Sequence, residues 1–336
     1  MISPMNKLTG YNAYISAISH FVPPKIISNK YFEEYLDTTD EWIIERTGIT
    51  ERRYLEKDQP VSYAAIKAVD LLLEDRGISP EEIDLIIVAT VTADMNYPST
   101  ACIIQNAIGA NNCWGFDLSG ACSGFLFALS TGAQFVENGT CKKVLVIGAD
   151  KMSSIIDPTD RNTCVLFGDG AGAVLLEPTE NKEIGILDSI LRIDGDGGKY
   201  LRQPAGGSLN PSSAETVEKR MHFVQQDGRA VFKDAVIGMA NVSAEIMERN
   251  KLSSDDVAYL VPHQANLRII EFVVKRLQVP MDRVMINIDH IGNTSAASIP
   301  IALGEAIEQN RIKEGDLALM MAFGGGLAWS SSLIRW

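Results

Sequence analysis

No excess of basic charge runs through this sequence: 43 acidic residues outnumber 30 basic ones, and the net charge is −13. A nucleic-acid binder would show a broad basic surface, so the charge argues against that class. Long hydrophobic runs are missing as well. The longest helix-compatible apolar stretch, residues 121–136, is interrupted by Ser123, Ser130, Thr131 and Gln134. It falls short of the roughly 20 residues of a membrane span. Met1 to Gly10 contain no apolar segment of the kind a secretory signal carries. Cysteine is sparse and dispersed, at positions 102, 113, 122, 141 and 164, with no Cys-x-x-Cys spacing. That odd set argues against a disulfide framework or a zinc site and for a reducing, cytoplasmic setting. A phosphate loop is also lacking. Gly168-Asp169-Gly170-Ala171-Gly172-Ala173 has no Gly-x-x-x-x-Gly-Lys spacing and leads into Val174-Leu175-Leu176. It reads as a tight turn with close backbone packing. Nothing offers a hydride carrier or a metal cluster, so no cofactor and no metal are expected.

What is present is a large globular chain: 336 residues, 46% hydrophobic and 22% charged. That length fits two domains or one of double size. Leu85-Ile86-Ile87-Val88-Ala89-Thr90 and Lys143 to Gly148 are continuous apolar runs, as in strands buried on both faces. A strand is also predicted over residues 8–19. Helices are predicted over Ser62–Arg76, Pro98–Gly109, Phe232–Asn250, Arg268–Leu277 and Ile299–Glu308, and strands over Val257–Val261, Val284–Ile288 and Leu317–Phe323. Asp40 reads as the N-cap of a short helix that Gly48 ends. Trp42 and Arg46 share one face of it, either as a half-buried ring beside a solvated arginine or as a stacking and phosphate-binding face. Residues 181–227 are rich in Gly, Ser and Asp and read as a strand followed by a long surface excursion.

The chain repeats itself. Gly77 to Ile87 aligns with Lys251 to Val261, Ile78 matching Leu252 at an offset of 174, and Val144 matches Leu317 at 173. Helix, strand, small-residue turn and helix lie between these anchors in both copies. Two similar α/β halves packed together, residues 1–180 and 181–336, account for this. In the first half the small-residue turn carries Cys122; in the second the matching turn carries Asn293. The strand ending at Val88-Ala89 matches the one ending at Pro262-His263. Cys122, His263 and Asn293 therefore fall at element ends where the halves meet, a favoured place for ligand sites.

Cys122 alone reads either as a small buried hydrophobe or as a thiol that a helix N-terminus turns towards thiolate. Such a thiol takes an acyl group as a thioester, and a His with an Asn can hold an enolate oxygen. The backbone N–H groups of Cys122 and of the Gly324-Gly325-Gly326 run, Gly325 in particular, can form a separate oxyanion hole. Ser123 and Gly124 read as small residues that leave room for an acyl chain. A thiol hydrolase and a non-catalytic acyl-thioester binder stay open on these residues.

Ala121-Cys122-Ser123-Gly124-Phe125, Pro262-His263-Gln264-Ala265-Asn266, Gly292-Asn293-Thr294-Ser295-Ala296-Ala297 and Phe323-Gly324-Gly325-Gly326-Leu327-Ala328-Trp329 resemble the signatures of the β-ketoacyl-[acyl-carrier-protein] synthase III family. Asp40-Glu41-Trp42-Ile43, Arg46-Thr47-Gly48-Ile49 and Asp157-Pro158-Thr159-Asp160-Arg161 support the resemblance, which covers nearly the whole chain. It implies a thiolase-like fold with a layered α-β-α-β-α architecture in a homodimer. It implies a decarboxylative Claisen condensation of an acyl-CoA primer with malonyl-acyl-carrier protein, initiating fatty-acid synthesis. A secondary-metabolite condensing enzyme or acyltransferase with the same Cys-His-Asn set is the nearest alternative. The resemblance assigns coenzyme A contacts to Trp42, Arg46, Arg161, Gly228 and Phe232, with Trp42 and Arg161 flanking the adenine. Arg229 stands where the family carries an asparagine on the pantetheine arm. Tyr97 would close the acyl pocket of the partner subunit. Lys233, Arg268, Lys275 and Arg276 are expected to dock the acidic carrier protein.

Overall fold

The computed structural model describes residues 10–336. Two sheets divide the strands. The first has the order Trp114–Leu118, Leu85–Ala89, Val144–Lys151, Asp169–Thr179, Asn12–Phe21. Its first three strands run parallel and the last two antiparallel. The second sheet reads Tyr259–Pro262, Leu317–Gly324, Ala328–Arg335, Gly185–Ile193, with its first pair parallel and the rest antiparallel. A parallel bridge from Val284 to Leu260 continues it outward. Both sheets thus have the same order and the same sequence of directions, and the repeat in the sequence is a repeat of topology.

Between the sheets lie the helices Gly124–Glu137 and Ser298–Glu308. A helix in that position has no solvent face, and Gly124–Glu137 is buried on nearly every side. That explains why its sequence is apolar without a clean stripe. One core joins it to strands of both halves: Phe125 and Leu129 pack in the same cluster as Val146 and Val174 from one half and Ala302 and Met320 from the other. Val61–Arg76 and Thr100–Ile108 cover the outer face of the first sheet. Gly228–Arg249 and Leu267–Leu277 cover that of the second. The result is a five-layered α-β-α-β-α, thiolase-like fold.

Several boundaries differ from the sequence reading. The first strand runs Asn12–Phe21, and positions 8 and 9 lie outside the described residues. Thr39, not Asp40, caps the Asp40–Thr47 helix, its hydroxyl accepting from Trp42 N at 3.1 Å. The long helix starts four residues earlier than predicted, at Gly228, because Asp227 accepts from Arg229 N and Ala230 N. The predicted strand Val284–Ile288 shrinks to one bridge, and Ile288 opens a short helix. Residues 181–227 hold the strand Gly185–Ile193 and then a long excursion with only short elements. Two features went unread. Ala328–Arg335 is a buried strand, and Lys25–Ser28 pairs with Glu51–Tyr54. The latter ribbon holds Arg52 wholly inside the protein. Its guanidinium donates to Ile27 O, Asn29 Oδ1 and Val165 O at 2.7–3.0 Å and lies over the Phe32 ring.

Gly238 sits mid-helix in Gly228–Arg249, where glycine ordinarily costs about 1 kcal/mol against alanine. Here a Cβ would fall 1.6 Å from Trp329 Nε1, and that indole donates to Asp234 O. Gly238→Ala is therefore expected to lower stability by about 1–3 kcal/mol instead of raising it. Thermal melting checks this, and an upward shift would refute the packing argument.

Candidate active site

The three residues singled out in the sequence line one cavity of about 270 Å³. Cys122 lies on a 3-10 turn, Ala121–Ser123, between the edge strand Trp114–Leu118 and the central helix. Ala121 opens that turn at φ 46°. The second half repeats the device. Ser295–Ala297 is a 3-10 turn before Ser298–Glu308, and Ser295 opens it at φ 53°. The two turns meet, with Cys122 Sγ 3.6 Å from Ser295 Oγ.

His263 follows the strand Tyr259–Pro262 and is buried, its N–H donating to Met321 O at 2.7 Å. Its Nδ1 shares a 2.6 Å hydrogen bond with Ser298 Oγ. Asn293 is fixed through its backbone: its N–H donates to Leu166 O, and its C=O accepts from Gly168 N, both at 2.9 Å. Its Oδ1 accepts from Ser295 N at 2.9 Å, so the amide NH2 is the end left to face the cavity. The Gly168–Ala173 motif makes this possible. The close packing is as read, but the tight turn is not: Asp169–Ala173 already belong to the strand Asp169–Thr179, and their packing brings the first half's backbone against the Asn293 turn.

The electrostatics overturn one expectation. A helix N-terminus was to favour the thiolate, yet burial pushes the Cys122 thiol up to about 12, against the opposing pull of its Ser295 contact. The cysteine precedes the helix on its own tight turn, and desolvation of the anion outweighs the dipole. Burial likewise lowers His263 to about 3, so its imidazole is neutral. Ser123 and Gly124 do not make room for a ligand. Ser123 Oγ donates to Ala328 O, and Gly124 packs against Ala89 and Ala296. Gly324 presses on the Cys122 turn: a Cβ there would lie 2.9 Å from Cys122 N.

At the mouth, Trp42, Arg46, Gly228, Phe232 and Arg268 line the cavity. Arg161 does not. Its guanidinium lies over the Trp42 ring at 5.2 Å and donates to Asp37 O, with Arg46 over the same ring at 5.4 Å. Arg229 is exposed, away from the lining. Asn266 lines the cavity and was missed as a site residue, although it stood in the quoted motif. Its side chain donates to Arg46 O and caps the next helix. Lys233, Lys275 and Arg276 are exposed on the two outer helices that also carry Phe232 and Arg268. Tyr97 is 85% exposed and outside the cavity lining. Among the described residues no group of His, Cys, Asp and Glu could hold a metal, and no helix is long and apolar enough to cross a membrane.

The neutral imidazole gives a direct check. The His263 ring resonance, assigned by its loss in His263→Ala, should not titrate between about pH 5 and 8, where an ordinary histidine does. A midpoint near 6.5 would contradict the burial argument.

Comparison with known proteins fits this geometry. The model of 3-oxoacyl-[acyl-carrier-protein] synthase III matches residues 116–195, and that of its C-terminal part matches 247–336. A β-ketoacyl-[acyl-carrier-protein] synthase III of Koribacter versatilis is 50% identical over 325 residues, 96% of this chain and 98% of that protein. The one from Chlorobaculum tepidum is 52% identical over 96% of this chain and 99% of its own. The crystal structure of the Aquifex aeolicus 3-oxoacyl-[acyl-carrier-protein] synthase III superposes with a TM-score of 0.89 at 41% identity, covering 96% of this chain and 100% of that one. A priming β-ketosynthase from a polyketide biosynthetic pathway gives 0.89 at 35%, covering 100% and 98%. The chain belongs to the β-ketoacyl-[acyl-carrier-protein] synthase III family of condensing acyltransferases.

Proposed function

We propose that this chain joins an acyl-CoA primer to malonyl-acyl-carrier protein, releasing CO2 and CoA and leaving a 3-oxoacyl-carrier protein. The observation that carries the reading is the pairing within the cavity. The nucleophile Cys122 faces the same space as two N–H donors whose other ends are already engaged. With the Ser298 hydroxyl donating to Nδ1, neutral His263 presents Nε2–H. With Oδ1 held by Ser295, Asn293 presents its amide N–H.

In the first half-reaction Cys122 attacks the primer thioester. The N–H groups of Cys122 and Gly325 hold the oxyanion, and CoA leaves as the thiol. Trp42, Arg46, Gly228 and Phe232 receive the nucleotide end, and Arg161 swings off the Trp42 face to take its place against the adenine. In the second, malonyl-carrier protein loses CO2. His263 and Asn293 bind the enolate oxygen, and the carbanion attacks the Cys122 thioester. Such preorganised donors act where charge develops and are strengthened by exclusion of water. No cofactor enters either step. Fatty-acid initiation is the setting we favour. Priming of a polyketide chain is the second reading, supported by the polyketide priming ketosynthase among the structural relatives.

The protein acts as a cytoplasmic homodimer in this reading. Among the described residues Trp114–Leu118 is an edge strand of the first sheet, and Trp114 and Tyr97 are both exposed. Pairing of two such edges brings Tyr97 to the partner's acyl pocket. Carrier protein docks on Lys233, Arg268, Lys275 and Arg276, a basic patch on an otherwise acidic chain.

Two experiments test this. Incubation with a panel of acyl-CoAs, followed by intact mass, should give an adduct on the wild-type chain and none on Cys122→Ala. Malonyl-carrier protein should discharge it into a product that retains two malonyl carbons. Discharge by water alone would identify a thiol hydrolase instead. Arg268→Glu should raise the apparent KM for malonyl-carrier protein at low salt about tenfold, an effect that fades as salt screens the pair. An unchanged KM would remove the docking patch.

A further inference from the structure

One matched pair of positions in the two halves is packed alike and built differently. In the first half Gly124 opens the central helix against Ala89, which ends its strand: a Cβ on Gly124 would lie 3.3 Å from that of Ala89. The residues 174 positions further on are Ser298 and His263. Ser298 likewise opens its helix, and its hydroxyl meets His263 Nδ1 at 2.6 Å, both residues being buried. The first half satisfies the same packing with no polar side chain at all. The fold by itself does not call for this hydroxyl.

A neutral imidazole carries one ring proton, and burial keeps this ring neutral. Among the described residues the Ser298 hydroxyl makes no other hydrogen bond. If Nδ1 held the proton and donated to Ser298 Oγ, the serine O–H would be a buried donor without an acceptor, which is costly. With Ser298 donating, its one proton is used and the ring proton sits on Nε2. Nε2 has no partner among the described residues, and His263 lines the cavity with Cys122 and Asn293. The His263 backbone is held without Ser298, by its 2.7 Å bond to Met321 O and by Gln264 behind it. The hydroxyl thus acts on the ring alone, on its rotation and on which nitrogen carries the proton.

Resting on the reading that His263 holds the enolate oxygen, we propose that Ser298 is a positioning residue that locks His263 as a one-way donor, with Nε2–H turned to the cavity and its single lone pair spent. A ring held in this way cannot take the Cys122 thiol proton, so Ser298 confines His263 to the malonyl half-reaction. Without the hydroxyl the ring is free to turn about its Cβ–Cγ bond and to carry its proton on either nitrogen. Only one of those arrangements aims an N–H at the enolate.

Two measurements test this. The first is NMR of the wild-type chain with isotopically labelled histidine, the His263 ring being assigned by its loss in His263→Ala. It should show the proton on Nε2 and an unprotonated, hydrogen-bonded Nδ1, and Ser298→Ala should remove that hydrogen-bond signature. A proton on Nδ1 in the wild-type chain would overturn the proposal. The second measurement separates the partial reactions. Decarboxylation of malonyl-carrier protein is followed in a Cys122→Ala background, and acylation of Cys122 is read by mass in a single turnover. Ser298→Ala should slow decarboxylation about tenfold while changing acylation by less than about threefold. Added to His263→Ala, it should change decarboxylation by less than about threefold, because the hydroxyl acts only through the ring. Unchanged decarboxylation in Ser298→Ala, equal loss in both partial reactions, or a multiplied loss in the double variant would each overturn the lock. A His263→Ala variant that decarboxylates at the full rate would instead overturn the underlying reading of His263, and the ring spectrum would still report the tautomer.

Discussion

The site depends on one close backbone contact between the halves. The segment from Ile291 to Pro300 lies so near the first half's strands that a methyl group has no space at several points. A Cβ on Gly148 would meet Ala296 O at 2.3 Å, one on Gly168 would meet Ile291 O at 2.4 Å, and one on Gly172 would meet Pro300 Cβ at 2.6 Å. Asn293 is held within this contact by two backbone hydrogen bonds from the first half. Ser295 reaches Cys122, and Ser298 reaches His263. Loosening the seam would move Asn293, His263 and Cys122 apart together, because the same residues that join the halves also carry or orient these three side chains.

This arrangement also explains why the interior is polar where it is. Gln264 is wholly buried and uses its amide to tie Pro262 O, Met285 O and Asn287 N together behind His263. Arg52 does similar work from the other side. Its bond to Val165 O steadies the stretch that pairs with Asn293 through Phe167. Gln264 and the terminal nitrogens of Arg52 each make three such bonds, which offsets part of their desolvation cost and specifies one geometry.

Much of this was legible in the sequence because duplication leaves marks at several levels at once. The offset near 174 aligned strands and turns, and it placed Cys122, His263 and Asn293 at element ends before any coordinate was known. What escaped notice follows from physics that letters do not carry. Ser330, Ser331 and Ser332 carry no apolar strand signal, yet they are buried in a strand where Ser331 Oγ donates to Met320 O and Ser332 meets Ser189. Arg52 stands in a Glu-Arg-Arg run, a setting with no signal of burial, and arginine is mostly exposed. The state of Cys122 was misjudged because a helix terminus is visible in sequence while the depth of a sulfur is not.

The stacked arginines at the mouth change how affinity should be understood. Arg161 and Arg46 both lie over the ring of Trp42, the ring that the function proposed above gives to an incoming aromatic base. Ligand entry is thus a substitution at an occupied surface, one π-face partner exchanged for another. The measured strength of binding is then the difference between two stacks and not the worth of either. The same exchange run backwards assists departure, since the protein carries within reach the group that refills the slot.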